Sequence, residues 1–162
     1  MNLQTKRDFN KLAQEFKNNK FGLNTVSNLI VLVRRYNKEI SKDEAKLLLE
    51  IPLNVLSNDV ELINESEWAD KNSGYFQGNI TWTDDDFRNL WKSKFNSGDY
   101  GLKDIIELCK VVSEDFEKYR SSCEFLLRNV EVTLRDDVKI KKSSNFKDSG
   151  NVFLSHILKA ID

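Results

Sequence analysis

Few residues of this chain carry side chains that commonly catalyse reactions. His156 is the only histidine and so the only histidine base with a pKa near neutrality. It lies beside an apolar stripe near the C-terminus, without a recognisable nucleophile motif around it. Cys109 and Cys123 fall on apolar positions of a helical pattern, where a cysteine behaves as a small buried hydrophobic residue. We therefore expect a structural histidine and two core thiols.

The acidic triplet Asp84-Asp85-Asp86 is the other candidate, because carboxylates bind hard cations such as Ca²⁺. Successive helical residues point in different directions, and no glycine-spaced loop or distal glutamate completes a calcium motif. The triplet follows Thr83, and carboxylates in a first helical turn are stabilised by the helix dipole. We expect it to begin a helix. Since the chain also has no glycine-rich phosphate loop, we predict a protein that is not an enzyme, with no metal and no cofactor.

Helical periodicity predicts a mainly α fold. Ser41 and Glu44 spell a capping box, and Pro52 suits the first turn of a further helix. The longest pattern extends from Leu102 to about Arg135. Because one helix of that length would span ~50 Å, we expect two helices there, or one that bends near residues 113–115.

These patterns predict a single helical domain over residues 1–162, a bundle of about six to eight helices. We find no internal repeat in the sequence. The aromatic and β-branched residues around 75–82 are compatible with a short β-hairpin. The lysine- and serine-rich stretch 136–149 predicts a flexible connector.

Composition excludes several classes of protein. The 25 lysines and arginines nearly balance 26 aspartates and glutamates, which argues against a surface coated with positive charge for nucleic acid. The longest apolar run, residues 29–33, is too short to cross a bilayer. The N-terminus lacks the apolar stretch of a secretory signal. We expect a cytoplasmic protein with no membrane partner.

Charge is distributed unevenly along the chain. Eight carboxylates stand against one lysine, Lys71, between residues 57 and 87, so the remainder of the chain is basic. Such an asymmetry is typical of a molecule with one acidic face built for a basic partner. The acidic residues are Asp59, Glu61, Glu65, Glu67, Asp70, Asp84, Asp85 and Asp86.

Aromatic residues concentrate in the same third of the chain. Phe87 and Trp91 fall on a helical stripe, where we expect them in the core. Four others lie where no periodicity implies burial, and an aromatic anchor within a polar rim is common in protein interfaces. These four are Trp68, Tyr75, Phe76 and Trp82. Together with the eight acidic residues they form the predicted partner-binding set.

In this combination the chain resembles the immunity proteins that bacteria pair with toxic nucleases, including those of contact-dependent growth inhibition. The likeness lies in a small helical domain without a catalytic constellation and in the acidic, aromatic segment 59–86. The resemblance implies a 1:1 complex with a basic toxin domain whose active or substrate-binding surface is blocked. Complementary charge would speed its capture.

A nucleic-acid-associated module is the alternative. A basic cluster between residues 135 and 147, with a second at Arg34-Arg35, could contact phosphates. The cluster consists of Arg135, Lys139, Lys141, Lys142 and Lys147. A solvated linker explains the same residues, and a hydrolase based on two distant carboxylates is the third alternative.

Overall fold

Six helices make up most of the part of the chain that the structure describes. This computed structural model describes residues 3–18, 20–63, 83–97, 100–144 and 146. The helices are α1 (Leu3–Lys17), α2 (Leu23–Tyr36), α3 (Lys42–Asn54), α4 (Asp84–Ser97), α5 (Leu102–Glu114) and α6 (Arg120–Val132). Buried apolar residues from all six belong to one hydrophobic cluster. The mainly α prediction is confirmed.

The Ser41 half of the predicted capping box and the predicted break in the long apolar pattern are confirmed. Ser41 precedes α3, and its hydroxyl accepts a hydrogen bond from the Glu44 N–H at 3.3 Å. The long apolar pattern divides into α5 and α6, because Asp115 leaves the helical conformation with φ −133° and ψ 61°. Phe116 and Tyr119 remain buried in the connection, which explains why the apolar rhythm continues across the break.

The prediction that Pro52 begins a further helix is wrong. Pro52 lies inside α3, close to its C-terminal end. Proline cannot donate the backbone hydrogen bond that the preceding turn would accept. Directly after α3 the backbone widens into a π-helical turn, Val55–Asp59. A second π-helical turn, Thr133–Asp137, follows α6, so the widening does not itself require proline.

Each π-helical turn leads into a three-residue strand. Strand β1 (Val60–Leu62) and strand β2 (Val138–Ile140) pair antiparallel, with Val60 opposite Ile140 and Leu62 opposite Val138. A flexible connector over 136–149 is therefore wrong for residues 138–140, because Val138 is buried and its strand has a partner. The hairpin predicted around 75–82 lies outside the described residues.

The order of elements occurs twice, so the expectation of no internal repeat is also wrong. α3 begins at Lys42 and α6 at Arg120, 78 positions later. The strands begin at Val60 and Val138, again 78 positions apart. We name residues 3–62 the first repeat and residues 84–140 the second repeat. Each contains three helices, a π-helical turn and a strand.

Equivalent residues make equivalent interactions in the two repeats. The N–H of Gly22 donates to Thr25 Oγ1 at 2.9 Å, and the N–H of Gly101 donates to Asp104 Oδ2 at 2.8 Å. α2 and α5 begin directly after these glycines, 79 positions apart. This offset is one larger than the offset of 78 between α3 and α6, because α2 is one residue longer than α5. Six pairs of identical buried apolar residues also correspond: Leu29 and Leu108, Val33 and Val112, Leu48 and Leu126, Leu49 and Leu127, Leu56 and Leu134, and Val60 and Val138.

Ring contacts align the first helices of the repeats. Phe16 at the end of α1 contacts Phe21 with ring centroids 5.4 Å apart. Phe95 at the end of α4 contacts Tyr100 at 4.2 Å. Phe95 follows Phe16 by 79 positions, and Tyr100 follows Phe21 by the same number. The offset found between α2 and α5 therefore also applies to α1 and α4.

The repeats interlock rather than stand side by side. α2 packs against α6 and α3 packs against α5, and these are the two most extensive helix contacts among the described residues. The second helix of each repeat therefore covers the third helix of the other. Glu61 and Lys139, which are equivalent residues, lie opposite each other in the strand pair. An approximate two-fold axis passes between them.

The connection between α5 and α6 also contacts the first repeat. The Arg120 guanidinium donates to the carbonyl oxygen of Ile40 at 2.9 Å and to that of Asn37. The Asn37 side-chain amide donates in return to the Arg120 carbonyl at 3.1 Å. Backbone carbonyls of the α2–α3 connection are thereby satisfied by the opposite repeat.

We predict that Leu48→Ala and Leu126→Ala each lower the free energy of unfolding by about 2–5 kcal/mol, the usual range for a fully buried leucine. Both leucines are fully buried at equivalent positions. Because the repeats share a core, each variant should unfold in one cooperative transition, measured by circular dichroism in urea. Two separate transitions, with only one shifted by each substitution, would contradict the interlocked arrangement.

Candidate partner-binding surface

The structure describes five of the twelve residues predicted to bind a partner. These are Asp59, Glu61, Asp84, Asp85 and Asp86. Seven lie outside the described residues: Glu65, Glu67, Trp68, Asp70, Tyr75, Phe76 and Trp82.

Asp84 has an internal role. Its half-buried carboxylate accepts hydrogen bonds from the N–H of Ser121 at 2.8 Å and the N–H of Ser122 at 3.2 Å. Both serine hydroxyls also donate to it, that of Ser122 at 2.6 Å. The carboxylate satisfies otherwise unpaired donors in the first turn of α6 and lies at the positive end of that helix. The prediction that Asp84 is a free contact for a partner does not fit this arrangement.

Asp86 and Thr83 form the capping box of α4. The Asp86 N–H donates to Thr83 Oγ1 at 3.1 Å, and the Thr83 N–H donates to Asp86 Oδ2 at 3.2 Å. The acidic triplet therefore begins a helix, as expected. Asp85 is the most available member, since its side chain is 75% exposed and pairs at 3.2 Å with the less exposed guanidinium of Arg88. Such surface pairs contribute little to stability.

Asp59 and Glu61 lie beside β2. Asp59 is half-buried at the end of its π-helical turn, and its carbonyl accepts from the Lys141 N–H at 2.9 Å. Glu61 is exposed, and its carboxylate lies 3.9 Å from the Lys139 ammonium across the strands. Of these two, Glu61 offers the more accessible carboxylate.

The two described groups of carboxylates lie at opposite ends of α6. Asp84 contacts its first turn, whereas Glu61 pairs with β2, which follows the π-helical turn after its last residue. A helix of 13 residues is ~20 Å long. The described acidic residues therefore form two separate groups rather than one continuous patch.

Phe87 and Trp91 are core residues, as expected. Both are almost fully buried. The Phe87 ring lies 4.4 Å from that of Tyr119, and the Trp91 ring lies 6.0 Å from that of Phe125. These ring contacts attach α4 to the rest of the second repeat.

Cys109 and Cys123 are buried and free. Burial raises the pKa of the Cys109 thiol to about 12 and raises that of Cys123 also, with a smaller contribution from Cys109 itself. Thiols in this state stay protonated at neutral pH, which makes them poor nucleophiles. His156 lies outside the described residues. Within the described ranges, no group of three or more histidine, cysteine or acidic residues is arranged to hold a metal ion.

A basic pocket between α4 and α6 was missed by the sequence analysis. Its volume is about 160 Å³. It is lined by Arg88 and Lys92 of α4 and by Ser121, Glu124, Phe125 and Arg128 of α6. The two helices are far apart in sequence, so only the i, i+4 spacing of Arg88 and Lys92 could have indicated one wall.

Comparison with protein families, curated proteins and solved structures gives no significant match to this chain. Among the described helices, none combines the length and apolar character needed to cross a bilayer.

We predict that Asp84→Ala lowers the free energy of unfolding by about 1–3 kcal/mol, because two buried N–H donors lose their acceptor. Asp85→Ala, the matched control one residue away, should change it by less than about 0.5 kcal/mol. Urea denaturation measures both changes, and amide hydrogen exchange at Ser121 and Ser122 reports the first directly. Equal effects of the two substitutions would show that Asp84 does not stabilise α6.

Proposed function

We propose that this protein is a toxin-neutralising protein of the immunity type, which binds one basic partner domain through the acidic segment 57–87. The observation that carries the proposal is the charge of that segment, eight carboxylates against one lysine. An interface of this composition suits a basic domain, such as a nuclease that must itself bind phosphates.

The described contacts narrow the candidate set. Asp84 and Asp86 serve the ends of helices, so we assign them to the scaffold. Glu61 and Asp85 are exposed, and their side chains form surface ion pairs within the described part of the chain, which a partner's arginines and lysines can replace at little cost. Residues 65–82 supply the remaining acidic and aromatic contacts in this proposal.

Electrostatic steering gives the acidic segment a kinetic role. Complementary charge raises association rate constants from ~10⁵–10⁶ to ~10⁸–10⁹ M⁻¹s⁻¹ at low salt. A protein that must capture a toxin before it acts benefits from this acceleration. The proposal assigns no catalysis, and it places the protein in the same cytoplasm as the toxin's target.

The nucleic-acid alternative is less favoured by the described contacts. Lys139 lies 3.9 Å from the Glu61 carboxylate, and the Arg135 guanidinium lies 3.8 Å from that of Asp136. The basic cluster at 135–147 is therefore partly neutralised. Lys139 also belongs to a strand paired with the first repeat.

We predict that the double substitution Glu61→Lys with Asp85→Lys slows association about tenfold or more at low salt, because two steering charges are reversed. The probe is the toxin domain that this proposal expects a neighbouring gene to encode, and biolayer interferometry measures the rate. Raising the salt should shrink the difference, since screening shortens the range of steering.

Glu50→Lys with Glu114→Lys provides the matched control, because both glutamates are exposed and lie on α3 and α5. It makes the same change in net charge outside the acidic segment. If the control variant associates as slowly as the Glu61 and Asp85 variant, the effect is due to net charge alone. Unchanged association of the Glu61 and Asp85 variant would contradict the proposal.

A further inference from the structure

The basic pocket contains more positive than negative charge. Arg88, Lys92 and Arg128 line it, with Glu124 as the one lining carboxylate. Glu124 pairs with Arg128 at 2.9 Å and lies 3.8 Å from Arg34 of α2. Asp85 at the rim pairs with Arg88 at 3.2 Å. Among the described residues, three cations line the cavity against one lining carboxylate, and the carboxylates of Asp85 and Asp84 lie beside it.

The neutral residues of the lining restrict how a ligand can bind. The Ser121 hydroxyl donates its proton to Asp84, so it is not available as a donor to an anion. Phe125 presents a half-buried aromatic ring, packed from behind by Trp91. Arg88 Nε is buried and has no hydrogen-bond partner among the described residues. Donors to a ligand must come from the guanidinium and ammonium groups.

The first repeat provides an internal comparison for this pocket. α1 and α3 form the equivalent helix pair, and a groove between them is lined by Lys6, Phe9, Asn10 and Glu44. The positions equivalent to Arg88, Lys92 and Arg128, by the offsets of 79 and 78 residues, are Phe9, Ala13 and Glu50. None of the three cations therefore has a counterpart in the first repeat.

We propose that the basic pocket is a binding site for a phosphate monoester. Arginine guanidinium groups bind phosphate oxygens with paired N–H donors, and lysine adds a mobile point charge. The lining residues themselves carry a surplus of two positive charges, which suits a phosphate dianion. Glu124 holds Arg128 and Arg34 in place, while the Phe125 ring offers an apolar wall for the group that carries the phosphate.

This inference is independent of the proposed toxin-neutralising function. The pocket attracts anions, whereas the acidic segment attracts a basic domain. The residues that line the pocket are not among those predicted to contact the partner. Failure of one proposal therefore leaves the other standing.

The test is a titration of ¹⁵N-labelled protein with inorganic phosphate and with AMP, followed by NMR. We expect saturable shifts confined to the amides around residues 88–92 and 121–128 with at least one of these ligands. Lys92→Ala with Arg128→Glu should weaken binding about tenfold or more, since two charge-assisted contacts are lost. The substituted residues are those that the first repeat carries at the equivalent positions, Ala13 and Glu50.

Lys103→Ala with Lys110→Glu is the matched control, because both lysines are exposed on α5 and the pair makes the same change in net charge. It should leave both affinities unchanged. Tighter binding of AMP than of phosphate assigns the site to a nucleotide, and equal binding assigns it to the phosphate group alone; both support the proposal. Shifts spread over the whole surface, no saturation, or equal binding by the pocket variant would overturn it. If circular dichroism shows the double variant unfolded, Lys92→Ala alone, at an exposed position, decides by the same criterion.

Discussion

Reciprocal packing of the second helix of one repeat on the third helix of the other is the interaction on which this structure depends. α2 packs on α6 and α5 packs on α3, so the most extensive helix contact of each third helix is made with the opposite repeat. The short strands pair across the same axis, and Arg120 satisfies carbonyls of the first repeat at the α2–α3 connection. Three-residue strands have little stability by themselves. They are held in register by the helices that precede them.

Comparison of the two repeats distinguishes the residues that form the shared core from the exposed residues that differ between the repeats. Buried positions correspond closely, as in Leu48 and Leu126. Exposed positions diverge in charge: Glu61 faces its own counterpart Lys139, and Glu50 corresponds to Arg128 of the basic pocket. Two copies of one fold thus carry different electrostatic surfaces. This divergence is the physical basis for proposing an acidic protein interface in one part of the molecule and a phosphate site in another.

Local signals in the sequence predicted local structure well. The Ser41 cap, the break after Glu114 and the burial of Phe87 and Trp91 follow from short-range rules. Features formed by residues far apart in the sequence were not predicted. β2 pairs with a strand 78 positions away, and Asp84 caps a helix 37 positions further along the chain. The repeat was hidden because the correspondence is concentrated in apolar positions, which any amphipathic helix would share. The basic pocket was not predicted either, because its two walls come from different helices.

Separate expression of the two halves, residues 1–82 and 83–162, tests the interlocked core most directly. Far-ultraviolet circular dichroism and analytical ultracentrifugation of each half, and of their equimolar mixture, provide the readout. Because each half lacks the helix that makes the most extensive contact with its third helix, neither should show native helicity or a cooperative thermal transition alone, and mixing should restore both in a 1:1 complex. A half that unfolds cooperatively by itself, with a helical content unchanged by its partner, would contradict the shared core.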